Sequence, residues 1–172
     1  MIADDRDMTG RTRRPLIFLD VDGPLLPFGT DPQGRSREVV ADSRLSRLTP
    51  ELGRRLAALP GELVWATTWE DEANIEIAPR IGLSPLPVVR WPVPSAEHEH
   101  EDRWFGLCWK TRTLVHQAAG RPFAWIDDEI TDADRDWVGS HHPDRAFLHR
   151  VESHRGLGDG DFAALDTWLR AA

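Results

Sequence analysis

The sequence predicts an α/β domain of three layers, a central parallel sheet with helices on both faces. Three observations predict it. Leu16-Ile17-Phe18-Leu19, Leu63-Val64-Trp65-Ala66 and Phe123-Ala124-Trp125-Ile126 are apolar runs without alternation, as in strands buried on both faces. Helical stretches fall between such runs, so strand and helix alternate from end to end with no repeat and no linker. Two of the strands end in acids, Asp20-Val21-Asp22 and Asp127-Asp128-Glu129, at the carboxyl ends where open α/β sheets bind ligands. A length of 172 residues suits one domain with its own core and is too short for two of ordinary size.

Taken in order, residues 1–14 are polar and aperiodic and are expected to be a mobile leader, with residues 15–172 forming the single domain. The first strand ends at Asp20-Val21-Asp22, where side-chain alternation makes the two carboxylates lean the same way. Gly23-Pro24 turns the chain. Leu25 to Gly29 and the polar stretch through Arg37 read either as a short flap over the strand end or as a plain surface loop. Thr49-Pro50-Glu51 starts a helix with cap, proline and first-turn acid, and Leu52, Leu56 and Leu59 give it one apolar face. Pro60-Gly61 stops it, and the second strand runs into Thr67-Thr68-Trp69. Glu70-Asp71-Glu72 is expected to open the next helix, and Leu86-Pro87-Val88-Val89 to form a short edge strand.

Residues 92–103 read as a loop by composition. His98 and His100 could chelate a metal there, against the plainer reading of an acidic, solvated loop. Lys110 begins a helix with Leu114, Val115 and Ala118 on its inner face and Gly120 as its stop. After the strand at Phe123, Thr131-Asp132-Ala133-Asp134 resembles a capping box. Ala146-Phe147-Leu148 lies in a last strand, and Phe162, Leu165 and Leu169 form the apolar face of a closing helix.

Composition narrows the function. A net charge of -8 argues against passive, sequence-independent binding to nucleic acid, although a local basic groove is compatible with it. A single cysteine, Cys108, forms no internal disulfide. The amino-terminal residues lack a signal-peptide run, and no stretch approaches the ~20 apolar residues of a membrane span, so a cytoplasmic protein without membrane contact is expected.

The polar signals come in a fixed order: Asp-x-Asp, Thr-Thr, Lys, Asp-Asp. Each alone has a plain structural reading, but together they describe a site for phosphoryl transfer. A carboxylate can attack phosphorus and split one hard step into two. Carboxylates from two strands can hold Mg²⁺, which prefers oxygen ligands, while a hydroxyl and an ammonium hold the phosphoryl oxygens.

This order resembles the haloacid dehalogenase-like (HAD) phosphohydrolases over nearly the whole chain after residue 15. The resemblance implies a Rossmann-like HAD core with a short flap and no large cap. It implies Asp20 as nucleophile and Asp22 as the acid/base, with Thr67 as the phosphate-binding hydroxyl and Thr68 as the second candidate. It further implies Lys110 as the charge-neutralising lysine, Gly23 in the phosphate-binding turn, and Mg²⁺ held by Asp20, Asp127 and the backbone carbonyl of Asp22, with Asp128 in support. Pro24 departs from many members, which carry Thr or a small apolar residue there. Asp-Val-Asp-Gly-Pro-Leu, Leu-Val-Trp-Ala-Thr-Thr-Trp-Glu, Ala-Pro-Arg-Ile-Gly-Leu, Trp-Lys-Thr and Gly-Arg-Pro-Phe-Ala-Trp-Ile-Asp-Asp-Glu resemble the small HAD domain of "Swiss army knife" RNA-repair proteins. That finer resemblance implies phosphorylated nucleic-acid ends or nucleotides as substrates and repair enzymes as partners.

Trp69 and Trp109 flank Thr67 and Lys110, and either stack on a base or sugar at the mouth or pack the core. Two alternatives stand beside a nucleic-acid phosphatase: a phosphatase of small metabolites such as sugar phosphates, and a non-catalytic phosphate-binding or receiver-like signalling domain. Receivers place Thr and Lys after the nucleophile strand that follows their first acid pair, whereas here both precede the second acid pair.

Overall fold

The computed structural model describes residues 13–29 and 44–172. Four parallel strands form one sheet: β1 (Leu16–Leu19), β2 (Glu62–Trp65), β3 (Phe123–Asp127) and β4 (Ala146–Arg150), in the order β2-β1-β3-β4. Six α-helices accompany them among the described residues: α1 (Pro50–Ala58), α2 (Ala78–Ile81), α3 (Ala96–Phe105), α4 (Thr111–Ala118), α5 (Asp132–His141) and α6 (Asp159–Ala171). This is an α/β Rossmann-like core.

The central strands are buried on both faces, as their unbroken apolar runs require. Alternation sends Ile17 and Leu19 to one face, where they meet Leu56 of α1, Ile81 of α2 and Phe162, Leu165 and Leu169 of α6. Leu16 and Phe18 point to the other face, against Leu114 and Ala118 of α4 and Val138 of α5. The result is the expected three layers.

Register then sets the site. Leu19 lies opposite both Trp65 and Ile126, and the Asp20 N–H donates to the Ile126 carbonyl at 3.0 Å. The next residue of each strand is therefore at the same edge: Asp20 after β1, the Ala66-Thr67 step after β2, and Asp127 at the end of β3. Three segments remote in sequence converge because the sheet is parallel and in step.

Several local expectations need correction. Residues 92–103, expected as loop, turn helical from Ala96 as α3, capped by Ser95, whose hydroxyl accepts from the His98 N–H, and closed by Gly106 at φ 70°. The helix buries no residue, so it has no apolar stripe by which sequence reasoning could find it, only its two caps. Leu86 to Val89 pairs through a single bridge, Trp65 with Val88, because Pro87 has no N–H to extend the ladder. Glu70 and Asp71 form a turn, with Glu70 at φ 45°, and helical winding begins at Glu72, the cap of a π-turn over Ala73–Ile77 leading into α2. Lys110 is the residue before α4 rather than its first turn. Leu25 and Leu26 are buried in the core, so the start of the expected flap is packed structure, and Phe28 lines the cavity at the strand end; residues 30–37, and the leader as far as residue 12, lie outside the described residues. No helix among the described residues is long and apolar enough to cross a membrane.

Gly53 is the contact between α1 and α2. A Cβ there would stand 1.7 Å from the Ile81 carbonyl oxygen, a backbone atom that cannot swing aside. Gly53→Ala should therefore destabilise the fold by about 3 kcal/mol, a fall in Tm on the order of 10 °C. Thermal denaturation followed by circular dichroism measures it, and an unchanged midpoint would refute the packing.

Candidate active site

The carboxyl edge of the sheet holds Asp20 and Asp127 on adjacent strands, with Lys110 between them. The Lys110 ammonium lies 2.7 Å from Asp127 Oδ2 and 3.0 Å from Asp20 Oδ2, with Glu129 Oε2 farther off at 3.9 Å. Lys110 and Asp127 are fully buried and Asp20 nearly so. Ions taken from water are costly unless well paired and hydrogen-bonded, and these are. Asp20 Oδ1 accepts from the Val21 N–H at 2.8 Å. Asp127 Oδ1 accepts from the Glu129 N–H at 2.9 Å, and its Oδ2 also accepts from the Trp125 indole at 3.1 Å.

One ammonium cannot neutralise the acids around it. Burial first and the charge of Asp127 next push the Asp20 carboxyl up to about 7, with Lys110 offsetting only part of the rise. Asp128 is pushed up to about 6 by burial first and by Asp127 next. Burial alone would lower the Lys110 ammonium, but Asp127 and Asp20 hold it above the ordinary lysine range. Asp20, Asp127 and Asp128 each offer a carboxylate oxygen within 4.8 Å of the other two. An all-oxygen donor set with surplus negative charge fits a hard divalent cation. His98 and His100 join no such group among the described residues.

The second acid behaves differently. Asp22 is half-exposed, and its two oxygens accept from the Arg44 guanidinium at 2.7 Å and from the Trp69 indole at 2.9 Å. Asp20 and Asp22 nonetheless line one cavity of about 280 Å³, shared with Phe28, Thr68, Trp109, Lys110 and Asp128. The shared lean expected from strand alternation is thus present. Arg44 carries no sequence signal, since it precedes α1 by six residues and belongs to no motif.

The remaining expected residues separate. Thr67 is fully buried, and its hydroxyl accepts from the Trp69 N–H at 3.3 Å; Thr68 is exposed and lines the cavity. The Gly23 N–H is committed to the Leu26 carbonyl at 3.0 Å, so it does not point at a ligand. Gly23 instead allows a close approach: at φ 92°, a Cβ would stand 2.8 Å from the Asp128 carboxylate carbon. Trp69 packs on the core while its indole holds Asp22; Trp109 is 46% exposed at the mouth.

Asp134 escapes motif reasoning beyond its capping role, yet it holds the lysine loop. It is fully buried, and its Oδ1 accepts from the Cys108 N–H at 2.8 Å and the Thr111 hydroxyl at 2.6 Å. Its Oδ2 accepts from the Thr131 N–H at 2.7 Å and the Thr131 hydroxyl at 2.8 Å, closing the capping box of α5. Residues on both sides of Lys110 are thereby tied to α5. Cys108 in this loop is buried, which pushes its thiol up to about 12 and leaves it unreactive. Asp134→Ala should cost about 3 kcal/mol, as for a buried group serving several donors, and should speed reaction of Cys108 with an aromatic disulfide reagent. Equal thiol rates in both proteins would show that the loop does not depend on Asp134.

A family model described as "HAD domain in Swiss Army Knife RNA repair proteins" matches residues 16–162, from β1 into α6. No curated protein and no solved structure matches the chain.

Proposed function

The chain belongs to the family of HAD domains found in Swiss Army Knife RNA repair proteins, and on that premise we propose a Mg²⁺-dependent phosphohydrolase acting through an aspartyl-phosphate. Family membership points to a hydrolase of the HAD type. The observation that carries the finer reading is the buried Asp20–Lys110–Asp127 cluster, an arrangement too costly to keep as a mere strand end.

In this reading an Asp20 oxygen bonds to phosphorus as the bond from phosphorus to the leaving oxygen breaks. Asp22, in its protonated form, gives its proton to that leaving oxygen. Water then attacks phosphorus, passes a proton to Asp22, and the bond from phosphorus to Asp20 breaks, which restores both acids. Lys110 neutralises charge in the cavity, and the Thr68 hydroxyl, which lines it, takes the role expected of Thr67. Asp20, Asp127 and Asp128 would hold Mg²⁺, which would neutralise phosphoryl oxygens as charge builds on them.

The substrate we propose is a phosphorylated nucleic-acid end. The family's association with RNA repair proteins supports it, and so does the polar character of α3. A cap with its own core would have to bury apolar residues, and α3, between β2 and Lys110, buries none. A large substrate can itself help to cover such a site.

Asp20→Asn keeps the shape of the side chain and removes the nucleophile. Hydrolysis of a generic aryl phosphate should fall by on the order of 10³-fold or more, and chelation with EDTA should abolish it. Activity that survives either treatment would refute the mechanism.

The same cluster makes metal binding visible without turnover. A carboxyl whose folded pKa lies above its unfolded value adds stability below the unfolded value, and that contribution is lost as pH rises through the folded one. For Asp20 this window runs from 3.8 to about 7. The metal-free protein should therefore lose stability as pH rises through it, while a cation binds best once the acids are ionised. Mg²⁺ should raise Tm more at about pH 8 than at about pH 5. A gain that is equal at both, or retained in Asp127→Asn, would place the cation elsewhere.

A further inference from the structure

A second, larger cavity lies outside the cluster of acids. It measures about 840 Å³, runs between α3, the Trp91–Pro94 segment and α4, and sits within the range of about 300–1,000 Å³ typical of ligand sites. Its existence follows from how α3 is held. That helix buries nothing against the body, and Arg112 of α4 tethers it through Asp102 at 2.6 Å and Glu101 at 2.9 Å. A helix joined by ion pairs instead of apolar packing leaves the space beneath it open.

We propose that this groove binds the single-stranded nucleic acid leading away from the terminal phosphate, with a base stacked against Trp109. The inference rests on the phosphatase reading for its substrate class, and three observations carry it to this place. First, Trp109 lines both the groove and the cavity of Asp20 and Lys110, so the two adjoin at one indole. Second, the floor is apolar and aromatic: Trp91, Leu107 and Pro92 join Trp109 there. Trp91 meets Trp109 edge to face at 4.7 Å between ring centroids and is itself fixed by its indole donating to the Thr67 carbonyl at 3.0 Å. An indole braced at its edge and 46% exposed presents a rigid surface of the kind on which bases stack. Third, the groove offers one uncommitted cation: Arg90 and Arg112 line it but are paired, the first with Asp71 and the second with Asp102 and Glu101, whereas the exposed Arg103 makes no ion pair among the described residues. A sugar phosphate would need little of this surface, whereas a strand of two or more nucleotides passes from the acids, over Trp109, to Arg103.

The test separates binding from chemistry. A fluorescein-labelled single-stranded RNA octanucleotide without a terminal phosphate is titrated with the full chain in EDTA and followed by fluorescence polarisation. Trp109→Ala should weaken binding by on the order of ten-fold and Arg103→Glu by several-fold. In turnover, Arg103→Glu should lower the ratio of kcat/KM for the end-phosphorylated octanucleotide to that for an aryl phosphate. Arg103 is exposed on α3, so its variant keeps the question answerable should Trp109→Ala fail to fold. RNA binding by a protein that hydrolyses neither phosphate would sustain the groove and sink the phosphatase reading. Hydrolysis of both phosphates with no RNA binding, or with binding unchanged in Arg103→Glu, would overturn the groove. So would loss of a dimer, in place of loss of RNA, on Val93→Asp at the groove's exposed wall.

Discussion

Everything at the carboxyl edge of the sheet depends on one buried ammonium held between two carboxylates. Lys110 sits between Asp20 and Asp127 with almost no contact with water, where each ion would cost several kcal/mol if left alone. That cost explains the density of donors around the pair. Asp127 receives the Trp125 indole and a backbone N–H besides the lysine, and Asp20 receives the N–H of its own neighbour. It also dictates which strands stand at the centre. Only β1 and β3, covered by helices on both faces, can keep such a cluster dry while opening its far side to a cavity.

A lysine so placed must arrive from a loop of fixed shape, and that shape is secured from α5. Asp134 ties Cys108 and Thr111 to the start of that helix while also capping it, so one carboxylate couples the end of β3, the helix that follows and the loop before α4. Gly23 makes the matching constraint on the first strand. Its positive φ and lack of a side chain let the turn after Asp22 press against Asp128, which brings the third acid up to the other two. The surplus of acids is thus built by packing, and a divalent cation is the natural complement to it.

Much of this was legible in the sequence because burial on both faces writes itself as unbroken apolar runs, with Asp20 and Asp127 at the ends of two of them, whereas Lys110 was legible only by its place in the order of polar signals. The start of α1 at Thr49-Pro50 and the capping box at Thr131 were legible for a related reason: caps are local hydrogen bonds, visible without tertiary context. What escaped was set by tertiary contacts. No local pattern reveals that Arg44 and Trp69 converge on Asp22, or that Thr68 reaches the cavity where Thr67 does not. α3 escaped because it is polar all round, and periodicity finds only helices with a face to bury.

That misreading bears on function more than any other. Read as a solvated loop, residues 92–103 would leave the site flat and the acidic charge of the chain unrelieved near the mouth. As a helix tethered by Arg112, the same residues raise a wall, enclose a cavity beside Trp109 and bring Arg103 to its rim. An element with no core of its own cannot close the site as a folded cap would, but it can extend the site sideways. On the proposed function, catalysis and recognition are divided between two kinds of structure. The buried cluster demands exact, dry packing from the sheet, while recognition of an extended chain needs only a rigid indole, a few cations and open space. The net charge of -8 gives a polyanion no general attraction to the chain, so on this reading recognition is left to local features such as the Trp109 indole and the uncommitted Arg103.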